Sequence, residues 1–151
     1  MQEAVSARTP AHLWIVGVLS LLWNCFGAYD YIMTRTRNMD YLSSMPGVDP
    51  NELLAYVDSY PLHAQIGWGL GVWGALLGSI LLLMRSRFAV HAFAVSMLGV
   101  VLSLVWSLAM GPPPPAGTDQ GMAAAMPYVI TIVAAALLFY AWRQRANGVL
   151  R

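Results

Sequence analysis

An acid, an imidazole and an amide stand at the ends of two apolar stretches, and they carry most of the chemical potential in this chain. Asp30 lies near the close of the first stretch, and His63 and Gln65 open the second. An ionisable side chain in a membrane-length apolar run is a functional candidate by default, because lipid does not solvate charge. If Tyr128 joins them at the same level, Asp30, His63, Gln65 and Tyr128 form an outer polar cluster. There Asp30 would serve as a coupling acid, with His63 and Gln65 lining the mouth. An interfacial reading is simpler. Asp30 is about one turn from its helix end, within reach of water or Arg35, and His63 follows Pro61 at a helix start.

A second polar layer emerges on counting depth along helices at about 1.5 Å per residue. Asn24, Ser103 and Thr131 fall about 18 Å from the opposite surface, near Gly71 and Gly99. Asn24 is the most deeply placed strong polar group. A hydrogen bond from Asn24 to a Ser or Thr of a neighbouring helix would fix register, at roughly 0.6 kcal/mol on average and at most about 2. Contact with a ligand is the alternative.

Three other patterns spell chemistry that their context denies. Gly69-Leu70-Gly71-Val72-Trp73-Gly74 has the dinucleotide-binding spacing, yet it sits inside an apolar run, and the next acid is Asp119. His12 and His91 map to one side and His63 to the other, so they cannot share a metal ion. Cys25 lies near mid-membrane in an apolar setting, where a thiol is inert, and a lone cysteine excludes an intrachain disulfide. The sequence offers no nucleophile–base pair and calls for no cofactor.

The elements that must position these residues are membrane helices. Of the 151 residues, 58% are hydrophobic and 10% charged, against about 25% charged in an average soluble domain. With a mean hydropathy of +0.59, much of the surface requires lipid as solvent. Apolar runs over about 12–34, 62–84, 88–110 and 121–142 are each long enough to span a bilayer. The expected fold is therefore all-α, an integral membrane four-helix bundle in one domain. The absence of Lys and a net charge of +1 argue against nucleic acid as a partner.

The second span carries Gly67, Gly71, Gly74 and Gly78 on one helical face, and the third carries Ser96, Gly99 and Ser103. Small residues at this spacing let two helices approach closely, and the short Arg85-Ser86-Arg87 turn makes the two faces natural mates. Between the first two spans, 35–61 is polar. Within it, Asp49-Pro50-Asn51-Glu52 reads as a helix start, followed by an apolar stripe at Leu53, Leu54, Val57 and Tyr60. This predicts a short amphipathic helix on the membrane surface. Residues 111–120 form a proline-rich loop.

Arginine placement sets the orientation. The N-terminal segment, the Arg85/Arg87 turn and the C-terminal tail hold six of eight arginines. The positive-inside rule then puts both termini in the cytoplasm. Loops 35–61 and 111–120 face the other side, the periplasm of a bacterial inner membrane. Tyr29, Tyr31, Trp106 and Tyr128 would form the outer aromatic belt.

Trp23-Asn24-Cys25-Phe26-Gly27-Ala28-Tyr29-Asp30-Tyr31, Tyr60-Pro61 and the Gly67–Gly78 run, continuing through Arg85/Arg87, Ala89 and Ser96-Met97-Leu98-Gly99, resemble a group of small four-span bacterial inner-membrane proteins. Some members carry a sugar-transporter label. The resemblance covers about Trp23 to Met110, and it implies the membrane and the span count without assigning any residue a role.

The sequence-level expectation is a non-enzymatic accessory or interaction protein of the inner membrane, whose partners are lipid, a second copy or another membrane protein. The alternative is a transporter of a small solute, a sugar or a lipophile, with Asp30 as the coupling acid. A midplane sugar site needs many polar ligands, and Asn24, Thr131 and a few serines fall short of that.

Overall fold

The computed structural model describes residues 9–151, which leaves Arg8 outside the described residues. Six helices follow in order: α1 (Ala11–Arg35), α2 (Met39–Ser43), α3 (Pro50–Asp58), α4 (Leu62–Leu83), α5 (Ala89–Ala109) and α6 (Gln120–Ala146). Helices α1, α4, α5 and α6 are long and apolar enough to cross a membrane. They match the four apolar runs, with α6 continuing to Ala146 rather than ending at Trp142.

Local chemistry sets the helix starts. The Asp49 carboxylate accepts from the amides of Asn51 and Glu52, with Pro50 at the first helical position, so α3 starts where the sequence places it. Asn38 caps α2 through the Tyr41 amide, and Asp119 caps α6 through the Met122 amide.

Helix α4 is central because it has two contact faces. Its glycines lie against α5. A Cβ on Gly67 would stand 2.8 Å from the Gly99 carbonyl oxygen, one on Gly74 2.9 Å from the Ser96 amide nitrogen, and one on Gly78 2.7 Å from the Phe93 ring. A Cβ on Gly99 would drive into the Gly67 carbonyl and the Gly71 amide. Gly71 is looser, with Val100 Cγ2 as its nearest neighbour at 3.4 Å. Serines seal the contact: Ser96 Oγ donates to the Gly71 carbonyl at 2.7 Å and Ser103 Oγ to the Ala64 carbonyl at 3.3 Å. The glycine face thus meets the Ser96–Gly99–Ser103 face that its spacing predicts.

The other face of α4 receives α1, where Gly17 lies against Leu83, Asn24 against Ser79, and Tyr31 against Trp68. Helix α6 packs on α5 and buries only Leu137, Ala141 and Gln144. Leu137 and Ala141 join Leu13, Leu82, Ala89 and Phe93 at one end of the molecule, together with Val149 and Leu150 of the tail. The helices therefore stand in the order α1–α4–α5–α6, and α1 reaches α6 at this end, where His12 Nδ1 lies 2.6 Å from the Tyr140 hydroxyl.

Three of the long helices close with the same motif. At the end of α6, Gly148 has φ +70, its amide bonds Arg145, and the Val149 amide bonds Gln144, a Schellman arrangement with Val149 packed into the core. At the ends of α1 and α4 the left-handed residue is an arginine: Arg37 at φ +54 and Arg85 at φ +58. A non-glycine residue there costs of order 1–3 kcal/mol and persists where its surroundings fix it. The tail fixes Arg85, since the Arg151 amide donates to the Arg85 carbonyl and the Arg87 amide to the Arg151 carbonyl.

Arg85, Arg87, Arg143, Arg145 and Arg151 thus gather at one end, here the arginine end. The opposite, loop end holds α2, α3 and the proline-rich segment. There Gly47 and Gly117, both left-handed, bring the two loops into contact.

Candidate functional site at the loop end

The polar residues expected to converge separate into two groups, and helix register explains why. Along the α1–α4 contact, Asn24 meets Ser79, Tyr31 meets Trp68 and Gly69, and Arg35 meets Gln65. Counting depth from the helix ends had set Asn24 level with Gly71 or Val72, about one turn from Ala75 and two from Ser79, its real partners. The same shift moves Asp30 level with the Gly69–Gly71 region and leaves Gln65 opposite Arg35.

Asp30 therefore finds its partner on its own side of the molecule. Its Oδ1 accepts from the Tyr41 hydroxyl at 2.8 Å, while Tyr41 meets Tyr29 edge-on with ring centroids 5.4 Å apart. Burial, then the bond to Asp30 and its charge, push the Tyr41 phenol up to about 12. A carboxylate that accepts from a neutral phenol is held in place by it.

Gln65 is fully engaged elsewhere. Its Oε1 accepts from Arg35 Nη1 at 3.2 Å and its Nε2 donates to the Tyr60 carbonyl at 2.8 Å, tying the end of α1 to the α3–α4 link. His63 is exposed and makes no hydrogen bond to the other three residues. Tyr128 is 50% exposed on α6, away from Asp30's bonding partners.

Around Gln65 the loop end forms a cavity of about 270 Å³, lined by Thr34, Arg35, Arg37, Leu54, Val57, Asp58 and Gln65. Both oxygens of Asp58 accept from Arg37 Nη2, at 2.9 and 3.0 Å. The pair is 58% and 52% exposed, so it contributes at most about 1 kcal/mol. Two guanidinium groups against one carboxylate leave the cavity positive. Leu54 and Val57 line it but are themselves buried, so the open lining is polar and suits a small anionic group.

Beside the cavity lies an aromatic cluster that includes two residues expected in the outer membrane belt, Tyr31 and Trp106. Trp106 is only 5% exposed and meets Tyr60 with ring centroids 4.3 Å apart; Tyr60 also meets Trp68, and Trp68 meets Tyr31 at 4.7 Å. Tyr60 lies outside the long helices, and burial, with Tyr56 next to it, raises its phenol far above the ordinary range. The reason for the correction is geometric. Pro61 turns the chain so that Tyr60 folds over α5, and Trp106 is covered rather than left facing outward.

Deeper in the helices, the polar residues hold the fold together. Asn24 Nδ2 donates to Ser79 Oγ at 2.8 Å and to the Ala75 carbonyl at 3.3 Å. Thr131 Oγ1 donates to the Pro127 carbonyl of its own helix at 2.7 Å. Ser79, Tyr41 and helix α2 were missed in the sequence. Asn38 three residues before Tyr41 is a capping signal, and Ser79 falls on the Ala75 side of α4, beside the glycine row that drew the attention. The chain matches no family model, no curated protein and no solved structure.

Proposed function

We propose that this chain is a small integral membrane protein that works without catalysis, as an accessory or interaction partner of other membrane components. On this reading its helices form a bundle in a bacterial inner membrane, with both termini cytoplasmic and the loop end in the periplasm. The gathering of arginines at one end supports the orientation, and the resemblance to small four-span bacterial proteins supports the membrane.

The observation that carries the functional reading is the commitment of the deep polar side chains. Asn24, Ser96 and Ser103 each donate a hydrogen bond to a neighbouring helix, and Thr131 donates to the Pro127 carbonyl of its own helix. A transport site needs such groups turned toward a solute. What the molecule offers to others is the ordered loop end, with its positive cavity.

A second reading, uptake of a small anionic solute with Asp30 as the coupling acid, draws on that cavity and on the Asp30–Tyr41 pair. Reconstituted vesicles separate the two. The accessory reading expects no proton-coupled flux of sugars, phosphate or carboxylates above empty vesicles; a flux abolished by Asp30→Asn would overturn it. For orientation, Cys25→Ser with single cysteines at Ser44 or Asn147 should label with an impermeant maleimide only at Ser44 in intact cells.

A further inference from the structure

A second cavity, of about 380 Å³, lies between α5 and α6 and is lined by Val90, Met97, Ala135, Leu138, Phe139 and Trp142. Every one of these side chains is apolar except for the indole N–H. Val90 is the second residue of α5 and Trp142 lies near the end of α6, so the groove opens toward the arginine end. From Val90 to Met97 it runs about 10 Å along the helix axis, about a third of a bilayer's hydrocarbon core of ~30 Å.

Cations stand at its mouth. Arg145 follows Trp142 by three residues on α6, a further rise of about 4.5 Å, and Arg87 lies in the turn just before α5, its guanidinium over the Phe88 ring. Both are exposed, and neither forms an ion pair among the described residues, where Arg37–Asp58 at the loop end is the one such pair. Arg85 adds positive charge, with Nε and Nη2 shielded from solvent and without a hydrogen-bond partner among the described residues. All described Asp and Glu residues lie toward the other end. An apolar groove leading to cations without an ion-pair partner among the described residues matches one ligand chemistry: an apolar chain that ends in an anion.

We propose that this groove seats an acyl chain of an anionic phospholipid, with the phosphate held by Arg87 and Arg145. A bilayer supplies that occupant in the right place and orientation. The proposal rests on the chain being membrane-embedded and is independent of its accessory role.

The test is native mass spectrometry of the purified full chain, given equal amounts of phosphatidylglycerol and phosphatidylcholine with identical acyl chains. A basic residue near the headgroups contributes about fivefold. Wild type should therefore retain phosphatidylglycerol at least about 30-fold better, and Arg87→Gln/Arg145→Gln should lower the ratio about 30-fold with helicity unchanged. Arg145→Gln alone, at an exposed side chain, should lower it about fivefold, which keeps the test decisive if the double variant does not fold. Ala135→Phe, which fills the groove, should reduce retention of both lipids and preserve their ratio. Equal retention by wild type, an unchanged ratio in Arg145→Gln, or a lipid-free dimer with a second copy in the groove would each overturn the proposal. Failure of wild type to associate with vesicles of either lipid would overturn the membrane reading beneath it.

Discussion

Helices α4 and α6 are both long and apolar enough to cross a membrane, yet the structure uses them in opposite ways. Helix α4 is enclosed by α1 and α5, and a Cβ on three of its four face glycines would press within 3 Å of a neighbouring atom. Helix α6 touches α5 and the arginine-end core, and its loop-end half, from Met122 to Ile130, is almost wholly exposed. Hydropathy does not distinguish these cases. The small residues do, because without a hydrophobic drive between helices in lipid, close packing and hydrogen bonds decide which helices associate.

The sharpest way to break the comparison is to fill the tight face. Gly74→Leu would place a side chain where even a Cβ is 2.9–3.0 Å from Ser96 and Ala92 backbone atoms, so loss of the folded protein is expected, read as aggregation on extraction into mild detergent. Alanine grades the same face. Gly74→Ala should destabilise by about 1–3 kcal/mol through overpacking. Gly71→Ala, in ordinary contact with Val100, should lie within about 1 kcal/mol of wild type, aided by alanine's helix propensity. Thermal denaturation of the two variants in one detergent checks the order, and equal costs would mean that the glycine row acts as a uniform surface.

These glycines show what was legible in the sequence. A spacing of four, three and four on one strand of small residues identifies both a helix face and its mate, because the geometry of an α-helix converts spacing directly into a shared surface. The four long helices and the α3 cap were legible for the same reason, each being a local property of a few residues. The candidate site was not. Whether Asp30 meets Gln65 or Tyr41 depends on how far α1 slides along α4, and one turn decides it. That slide is set by many small contacts such as Gly17 against Leu83 and Tyr31 against Trp68, none of which has a signature in sequence spacing.

The second face of α4 should be more forgiving than the first. Asn24→Ala removes the bonds to Ser79 and Ala75, but Ser79 Oγ keeps its own bond to the Ala75 carbonyl at 2.9 Å. No buried hydroxyl is orphaned, so the expected cost is about 0.6 kcal/mol and below about 2. Asn24→Leu tests the same point without leaving a cavity. A cost above about 3 kcal/mol in the same thermal assay would place Asn24 with Gly74 among the residues that assembly requires.

At the loop end the effect is a pH dependence. The Tyr41 phenol is raised from 10.0 to about 12, by burial first and by Asp30 second. A folded-state value above the unfolded one means that the folded chain holds its proton more tightly. This contribution is therefore complete below pH 10 and is lost as pH rises toward 12. Carbon-13 labelling of the tyrosine rings should show the Tyr41 phenol titrating near 12, with Tyr60 later still. Asp30→Asn should bring Tyr41 part of the way back and leave the burial component. An unshifted midpoint would detach Asp30 from Tyr41 and return the acid to the list of free groups at this end.

The smallest effect belongs to α6. Ile132 is 67% exposed, and in a bilayer its side chain exchanges one apolar surroundings for another whether or not the helix is docked. Ile132→Ala should then change stability by no more than about 0.5 kcal/mol. Phe93→Ala, on the buried side of α5 over Gly78, should cost about 3–5 kcal/mol. Measuring both at two protein-to-detergent ratios gives the comparison its last test. A cost for Ile132→Ala that appears only at the higher protein concentration would mean that a second copy covers this face. Helix α6 would then be as enclosed as α4, with the partner supplied from outside the chain.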